Sequence, residues 1–470
     1  MIWNRPAESV FVFIFGFAIF GGSVAAQSAA SPPEHESPSA AAETQASGAP
    51  GLTLARLQEM AVAHNPTLAQ AQAEVRAAQG RVKQAGLWPN PVAGYTGEEI
   101  RGGSFGGGMQ GFFVEQQILL GGKLRLNQNV FQQEQKQAEA EAEEQRLRVD
   151  NGVRIAFYQA LAAQRMVELR RKLSDLAADA ARTTGQLYNV GQSDQPDTLQ
   201  AQVEADDAQL ALLAAQQEEQ RAWRVLAATA GQPRMPLAPL EGDLENVPPL
   251  DPDKALDAIL RDSPAVKIAQ LSVARAQAAT ASARRQAVPD LTLRGGFQQD
   301  REELEAGPPH RAGGIGFAEA SVNIPLFNRN QGNVAAAKAE VERAQREVDR
   351  VELVLRQQAA PLVETYESSR AIVERYKTQT LPTSERAYQL YLEKYHQGAA
   401  AYPQVLIAQR TFFRLQAAYV TALESAWTSA NTLQGLLLTD GLDQPSAPGT
   451  IDQPIREINL PVTETPGGGN

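Results

Sequence analysis

Small apolar residues recur with a helical period along most of the chain, and the longest such run contains no proline. It extends from Lys123 to about Leu187, so a continuous helix would reach roughly 95 Å at ~1.5 Å per residue. That length exceeds what a globular core buries and predicts a coiled coil or similar bundle. Its apolar seam follows heptad spacing at Val149, Val153, Ala156, Ala160, Ala163 and Val167. A second long run starts near Gln331 with the seam Ala337, Val341, Ala344, Val348, Val351 and Leu355.

Two pairs of short segments have the composition of β-strands. The segments are residues 91–98, 111–119, 290–298 and 314–325. In the second, Phe112 and Val114 share one side while Glu115 lies on the other, which predicts a strand with one apolar and one polar face. Phe113 departs from this alternation because it falls on the polar side.

The stretch from Tyr188 to Ala201 returns 207 residues later, from Tyr395 to Ala408. The matching residues are Tyr188, Gly191, Pro196, Leu199 and Ala201, with Tyr395, Gly398, Pro403, Leu406 and Ala408. Glycine can take the left-handed backbone that ends a helix, and proline suits the first turn of the next one. Each copy therefore predicts the tip of a helical hairpin. An ordinary surface turn is the alternative, but two copies in register favour a duplicated unit.

The spacing between the two copies changes along the chain. Pro66 and Pro91 correspond to Pro264 and Pro289, which lie 198 residues later rather than 207. Nine residues were therefore gained before the second tip. The polar, Gly- and Pro-containing loop 301–314 is the expected location, because exposed loops tolerate insertions.

The beginning of the chain has the features of a secretory signal. Arg5 precedes an apolar run from Val10 to Phe20 and small residues up to Ala26, which predicts cleavage after Ala26. A retained membrane anchor is the alternative. The predicted divisions are 1–26 signal peptide, 27–51 disordered leader, 52–230 first repeat, 231–253 proline-rich connector, 254–442 second repeat and 443–470 C-terminal tail.

Composition excludes several classes of function. The net charge of −11 provides no basic footprint for nucleic acid. The absence of cysteine excludes disulfides, thiolate metal sites and attachment of a lipid. The four histidines lack ligand spacing, and no nucleophile with a base or phosphate-binding loop is present. We therefore expect neither an enzyme nor a cofactor.

Four strands in one chain leave open sheet edges, which a bilayer does not tolerate. Their lengths approach the ~9–11 residues of a membrane strand. Several chains could close one barrel together. With an export signal and no apolar helix that spans a membrane, this predicts the bacterial outer membrane, with the helices extending into the periplasm.

From Leu52 to Leu442 this layout resembles the TolC-type outer membrane factors. Two motifs resemble the CzcC-type heavy-metal efflux branch: Gly121-Gly122-Lys123, and the run from Ile324 to Gly332 with Pro325, Leu326, Phe327, Arg329 and Asn330. The resemblance implies a mainly α fold with a membrane β portion. It also implies a homotrimer with a twelve-stranded β-barrel and a periplasmic α-helical barrel.

The resemblance further implies a passive exit duct for heavy-metal cations, docked to a periplasmic adaptor and an inner-membrane RND-type pump. The same duct could instead serve organic drugs or secreted polypeptides, since the dispersed methionines form no soft-metal ladder. A structural periplasmic coiled-coil protein is the alternative from a different class.

The two tips hold the candidate gate residues. In TolC relatives, acidic residues beyond the second tip narrow the closed entrance, but here that stretch holds Gln404 and no carboxylate. Asp194 and Asp197 lie in the first tip instead and would form an acidic ring in a trimer. The alternative is that they cap the following helix. The candidate contacts for the adaptor and gate are the tip residues Tyr188, Gly191, Tyr395 and Gly398.

Overall fold

The computed structural model describes residues 51–100, 108–191, 193–304 and 310–444. The predicted signal peptide, the leader before Gly51 and the tail beyond residue 444 lie outside these described residues. Among the described helices, none combines the length and apolar character needed to cross a membrane.

Helices make up most of the described chain and occur in the same order in each half. The helices are α1 (Leu54–His64), α2 (Pro66–Ala85), α3 (Lys123–Asn189), α4 (Gln195–Thr229), α5 (Pro252–Asp262), α6 (Pro264–Arg285), α7 (Gln331–Arg375), α8 (Leu381–His396) and α9 (Tyr402–Gln434). The strands are β1 (Leu52–Thr53), β2 (Val92–Glu98), β3 (Met109–Ile118), β4 (Leu240–Glu241), β5 (Leu291–Leu304) and β6 (His310–Val322). Two helices, two strands, a long helix and a further helix thus appear twice, which confirms the predicted duplicated unit.

The longest helix, α3, has 67 residues and confirms the proline-free run. Five of its six predicted seam residues are buried, and Ala163 is partly buried against the same core. Small side chains along this seam let α1, α4 and α9 pack closely on α3. Phe157, Leu226 and Leu423 fill the remaining space and are almost fully buried.

Two tryptophans attach the connector 231–253 to this helical core. The Trp223 Nε1–H donates to the Met235 carbonyl at 3.0 Å, and the Trp427 Nε1–H donates to the Leu244 carbonyl at 2.7 Å. The Trp427 ring also stacks on Tyr158 of α3 with 3.7 Å between the ring centroids. The connector therefore has fixed anchors despite its many prolines.

The second long helix is interrupted by a π-helical turn from Tyr376 to Thr380, between α7 and α8. There the Leu381 N–H donates to the Tyr376 carbonyl, five residues earlier. The next residue, Pro382, has no N–H to donate, so the regular bonding pattern cannot continue through it. Helical backbone nevertheless continues through α8 to His396.

The strands of both halves form one antiparallel sheet in the order β2-β3-β5-β6. Tyr95, Phe112 and Phe297 lie side by side across three strands. Their exposed fractions are 52%, 72% and 59%. The predicted alternation of β3 is confirmed, because Phe113 and Glu115 on the opposite face are less exposed than Phe112 and Val114. A separate short parallel pair joins β1 to β4.

The expected location of the nine extra residues is only partly right, because residues 301–304 and 310–314 belong to β5 and β6 rather than to a loop. β5 and β6 have 14 and 13 residues, whereas β2 and β3 have 7 and 10, so added length lies in the strands themselves. Further added length lies between β6 and α7, where residues 323–330 correspond to residues 119–122 between β3 and α3. The sequence after Gln298 is polar and therefore does not suggest a strand. Backbone pairing nevertheless continues past an irregularity between Asp300 and Glu303.

A carboxyl group is buried where α3 packs against α2 and α6. Burial raises the pKa of Glu141 to about 8, and the nearby carboxylates of Glu144 and Glu74 act in the same direction. Arg275 of α6 and a hydrogen bond with Gln137 oppose this increase in pKa without cancelling it.

This buried group predicts a dependence of stability on pH. The folded chain keeps the Glu141 proton up to about pH 8, whereas an ordinary glutamate releases it near 4.5. The free energy of unfolding therefore falls as the pH rises between these values. We expect Glu141→Gln to raise the melting temperature at pH 8 by several degrees, at about 2–4 °C per kcal/mol, and to change it little at pH 4.5.

The measurement is differential scanning fluorimetry of the detergent-solubilised protein from pH 4.5 to 8.5. Glu139→Gln, on the exposed side of the same helix, is the matched control and should keep the slope of the wild type. Equal pH slopes for the wild type and Glu141→Gln would show that Glu141 does not carry this dependence.

Candidate functional site

The first tip closes with a glycine in the left-handed region. Gly191 has φ +74°, and its N–H donates to the Tyr188 carbonyl at 3.0 Å. A side chain at this position would meet open space, so the backbone angle and not crowding explains the glycine. Tyr188 is exposed beside it.

The second tip repeats this glycine ending. Gly398 has φ +69° and donates to the Tyr395 carbonyl at 2.9 Å. The Ala399 N–H donates to the Lys394 carbonyl at 2.8 Å, which completes the double hydrogen bond of a Schellman motif. The ring of Tyr395 lies 5.5 Å from that of Tyr402, so this tip carries an aromatic contact.

The polar gate candidates are all exposed to solvent. Asp194 occupies the predicted cap position at the start of α4, but its carboxylate makes no capping hydrogen bond with the first turn. Asp197 lies in the first turn of α4, where a negative charge suits the helix dipole. Gln404 lies in the first turn of α9.

An ion pair joins the two hairpins, and sequence reasoning missed it. The Arg410 guanidinium of α9 lies 3.0 Å from the Glu204 carboxylate of α4. A groove of about 390 Å³ runs between the hairpins here and is lined by both residues and by small side chains such as Ala201 and Ala208. A single sequence does not predict this pair, because the two charged residues lie 206 positions apart on separate helices.

The junction of the sheet with α3 is fixed by an ion pair. Gly121 and Gly122 both have positive φ, +70° and +71°, which turns the chain from β3 into α3. Lys123 then lies buried, with its Nζ 2.8 Å from the Asp290 carboxylate. The other oxygen of Asp290 accepts the Leu120 N–H at 3.1 Å. One carboxylate thus ties the end of β3 and the start of α3 to the start of β5.

The corresponding junction in the second half uses asparagine in place of glycine. Asn330 has φ +62° and precedes α7 as Gly122 precedes α3. Its side-chain amide donates to the Ala283 carbonyl of α6 at 2.8 Å. Asparagine tolerates the left-handed region better than most residues, so the motif keeps the turn and adds a bond to a neighbouring helix.

The remaining residues of that motif lie mostly at the surface. Phe327 is 91% exposed, and Leu326 beside it is also exposed. Pro325 is partly buried, whereas Arg329 and Gly332 are exposed. The Arg329 N–H donates to the side-chain carbonyl of Gln331 at 2.8 Å.

No group of three or more His, Asp or Glu side chains in the described ranges is placed to hold a metal ion. What the described residues do show is two long helical hairpins, a sheet with an exposed apolar face and fixed junctions between them.

Comparison with known families decides what this architecture is. The model of the outer membrane efflux protein family matches residues 57–232 and 255–437. The chain belongs to this family. As an outer membrane efflux protein it has the TolC-type fold that the sequence predicted.

Two metal-resistance proteins are among the relatives of this efflux protein. The cobalt-zinc-cadmium resistance protein CzcC of Cupriavidus metallidurans is 28% identical over 386 residues, covering 82% of this chain and 90% of the relative. The nickel-cobalt-cadmium resistance protein NccC of Alcaligenes xylosoxydans xylosoxydans is 25% identical over 312 residues, covering 66% and 68%. These matches confirm the predicted resemblance to the CzcC branch.

A solved structure supports the fold independently. The crystal structure of CusC, described in terms of folding and transmembrane channel formation, superposes with a TM-score of 0.66. It is 17% identical and covers 82% of this chain and 92% of that chain. At this identity the similarity shows the fold alone.

The buried ion pair at the first junction predicts a large loss of stability. Asp290→Asn keeps an oxygen for the Leu120 N–H but leaves the buried Lys123 ammonium without its counter-charge. We expect a loss of about 3–5 kcal/mol and a lower melting temperature. The exposed pair of Asp251 and Lys254 provides the control, because Asp251→Asn should have little effect. Equal effects of both substitutions would show that the junction pair is not structurally important.

The tip aspartates predict a change in ion preference. In planar bilayers, we expect Asp194→Asn with Asp197→Asn to lower the ratio of cation to anion permeability, because the tip loses its carboxylates. Asp253→Asn, in the first turn of α5, removes a comparable charge away from the tips. If the double variant and this control both keep the ratio of the wild type, the acidic-ring hypothesis is wrong.

Proposed function

We propose that this outer membrane efflux protein works as a homotrimer and forms the passive exit duct of a tripartite system. Its cargo would be heavy-metal cations that pass from the periplasm to the exterior. The strands would lie in the outer membrane, and the helices would extend into the periplasm toward an adaptor and an inner-membrane RND-type pump.

The apolar face of the sheet carries this proposal. Phe112, Phe297 and Tyr95 lie in one row and are mostly exposed in the single chain. An apolar surface of this kind is unstable in water and suits lipid. Trp88 and Phe327, near the helical end of the sheet, are also exposed, and aromatic residues are favoured at membrane interfaces.

The sheet edges support the homotrimer. β2 and β6 are the outer strands of the sheet, so each leaves a row of backbone groups unpaired. In lipid each unpaired group costs several kcal/mol, which only closure removes. Three copies would join β6 of one chain to β2 of the next and give twelve strands.

The assignment of metals as the cargo rests on the relatives and not on a binding site in this chain. CzcC and NccC are named for resistance to cobalt, cadmium and other metals. The described residues provide no metal-holding cluster, which suits a duct whose cargo is selected elsewhere. We assign that selection to the pump.

The tips are the proposed gate and docking elements. Asp194 and Asp197 would form the acidic ring at the periplasmic entrance, with Gln404 near it. Gly191 and Gly398 hold the turns that an adaptor would contact, and the tip tyrosines Tyr188 and Tyr395 lie beside them. Support comes from the exposure of these residues and from the matching geometry of the two turns.

Efflux complementation in a deletion strain tests the function. We expect the wild-type chain to restore resistance to cobalt, zinc and cadmium but not to organic dyes. Restored resistance to dyes alone would replace metals with organic compounds as the cargo. Failure with every compound, despite normal levels of the chain in the outer membrane, would contradict an efflux role.

A pair of matched variants connects this function to the sheet. Phe112→Arg places a charge on the proposed lipid face, at a cost of about 2–4 kcal/mol near the bilayer centre, and should abolish resistance. Val62→Arg places the same charge on an exposed apolar residue of α1 and should leave resistance unchanged. Full resistance with Phe112→Arg would show that this face does not contact lipid.

A further inference from the structure

The polar face of the sheet contains two phenylalanines that the lipid argument does not explain. Phe113 of β3 and Phe317 of β6 both lie opposite Gly296 of β5. A methyl group at Gly94 would lie 2.6 Å from the Cζ of Phe113, and one at Gly296 would lie 2.8 Å from the Phe317 ring. The glycines thus leave room for both rings to lie flat on the strands.

These two rings hold the guanidinium of Arg294 between them. The Arg294 Cζ lies 4.1 Å from the centroid of Phe113 and 5.9 Å from that of Phe317. Both distances are within the range of cation–π attraction. The Nε of Arg294 is buried and has no hydrogen-bond partner, so the aromatic rings are its main surroundings.

Two carboxylates flank Arg294 without pairing with it. Glu115 of β3 and Glu319 of β6 are its direct cross-strand neighbours on the same face. Such neighbours have Cβ atoms about 4.5–5.5 Å apart and commonly form ion pairs. Among the described residues, neither glutamate forms a salt bridge with Arg294. The phenyl rings therefore hold the guanidinium as a separate, fixed positive charge.

We propose that Arg294 is a specificity-determining residue for ion passage through the strand section of the duct. The inference rests on the proposed function, because closure by three chains would turn this face toward the enclosed space. Among the strand residues whose side chains are described, Arg294 is the one cation on this face, whereas the acidic residues there are Glu98, Glu115, Asp300 and Glu319. Three fixed guanidinium groups keep the exit from being strongly cation-selective.

Reversal potentials in planar bilayers test this role. Arg294→Gln removes three positive charges from the ring of a trimer, so the ratio of cation to anion permeability should rise about two- to fivefold at low salt. The increase should shrink as salt screens the ring. Arg294→Lys keeps the charge and should stay close to the wild type. Phe297→Leu, on the opposite face of the same sheet, is the matched control and should change nothing.

Modification after assembly avoids any dependence on folding of the variant. The chain has no cysteine, so Arg294→Cys introduces a single thiol. In assembled channels, a methanethiosulfonate bearing trimethylammonium should return the permeability ratio to that of the wild type. One bearing sulfonate should raise the ratio further. Phe297→Cys should give no change in selectivity with either reagent.

The possible outcomes distinguish failure of the role of Arg294 from failure of the proposed function. Conducting channels whose selectivity is unaffected by Arg294→Gln and by both reagents would overturn the role of Arg294 and leave the duct intact. Channels that respond at Phe297→Cys and not at Arg294→Cys would show that the sheet faces the other way. Absence of conductance in the wild-type protein would contradict the duct itself, and the inference with it.

Discussion

Everything in this structure depends on how the four-stranded sheet completes its backbone hydrogen bonds. β2 and β6 end the sheet with unpaired backbone groups, and one face carries exposed aromatic side chains. The unpaired edges are costly in lipid, and the aromatic face is unfavourable in water. In the proposed trimer, pairing between copies would remove the edges and lipid would cover the apolar face. The membership of the outer membrane efflux protein family agrees with this requirement.

The long helices and the sheet are stabilised in different ways, and two junctions hold them together. Small residues along α3 allow close packing over a length that no globular core could provide. At the junctions, Gly122 and Asn330 adopt the same left-handed backbone immediately before each long helix. The Lys123–Asp290 pair then fixes the first of these turns to the sheet. In the proposed duct, these fixed junctions would keep the strand section aligned with the helices.

Much of this fold could be predicted from the sequence, since it depends on local periodicity. The long helices, the turns at Gly191 and Gly398 and the strand alternation all follow from spacing within a few turns or residues. The contacts between distant elements could not be predicted, as with the Arg410–Glu204 pair between the hairpins. Strand length also escaped prediction, because the ends of β5 and β6 are polar and pair through their backbones. The sequence shows that Phe113 falls on the polar side of β3, but it does not predict the contact of Phe113 with Arg294.

The central claim is that one face of this sheet contacts lipid and the other faces water. Single spin labels at successive positions of β3 test it directly, because the chain has no cysteine to remove. In reconstituted membranes, we expect labels at Phe112 and Val114 to be relaxed by oxygen and those at Phe113 and Glu115 by a water-soluble nickel complex. Equal accessibility to the nickel complex at all four positions would contradict the account.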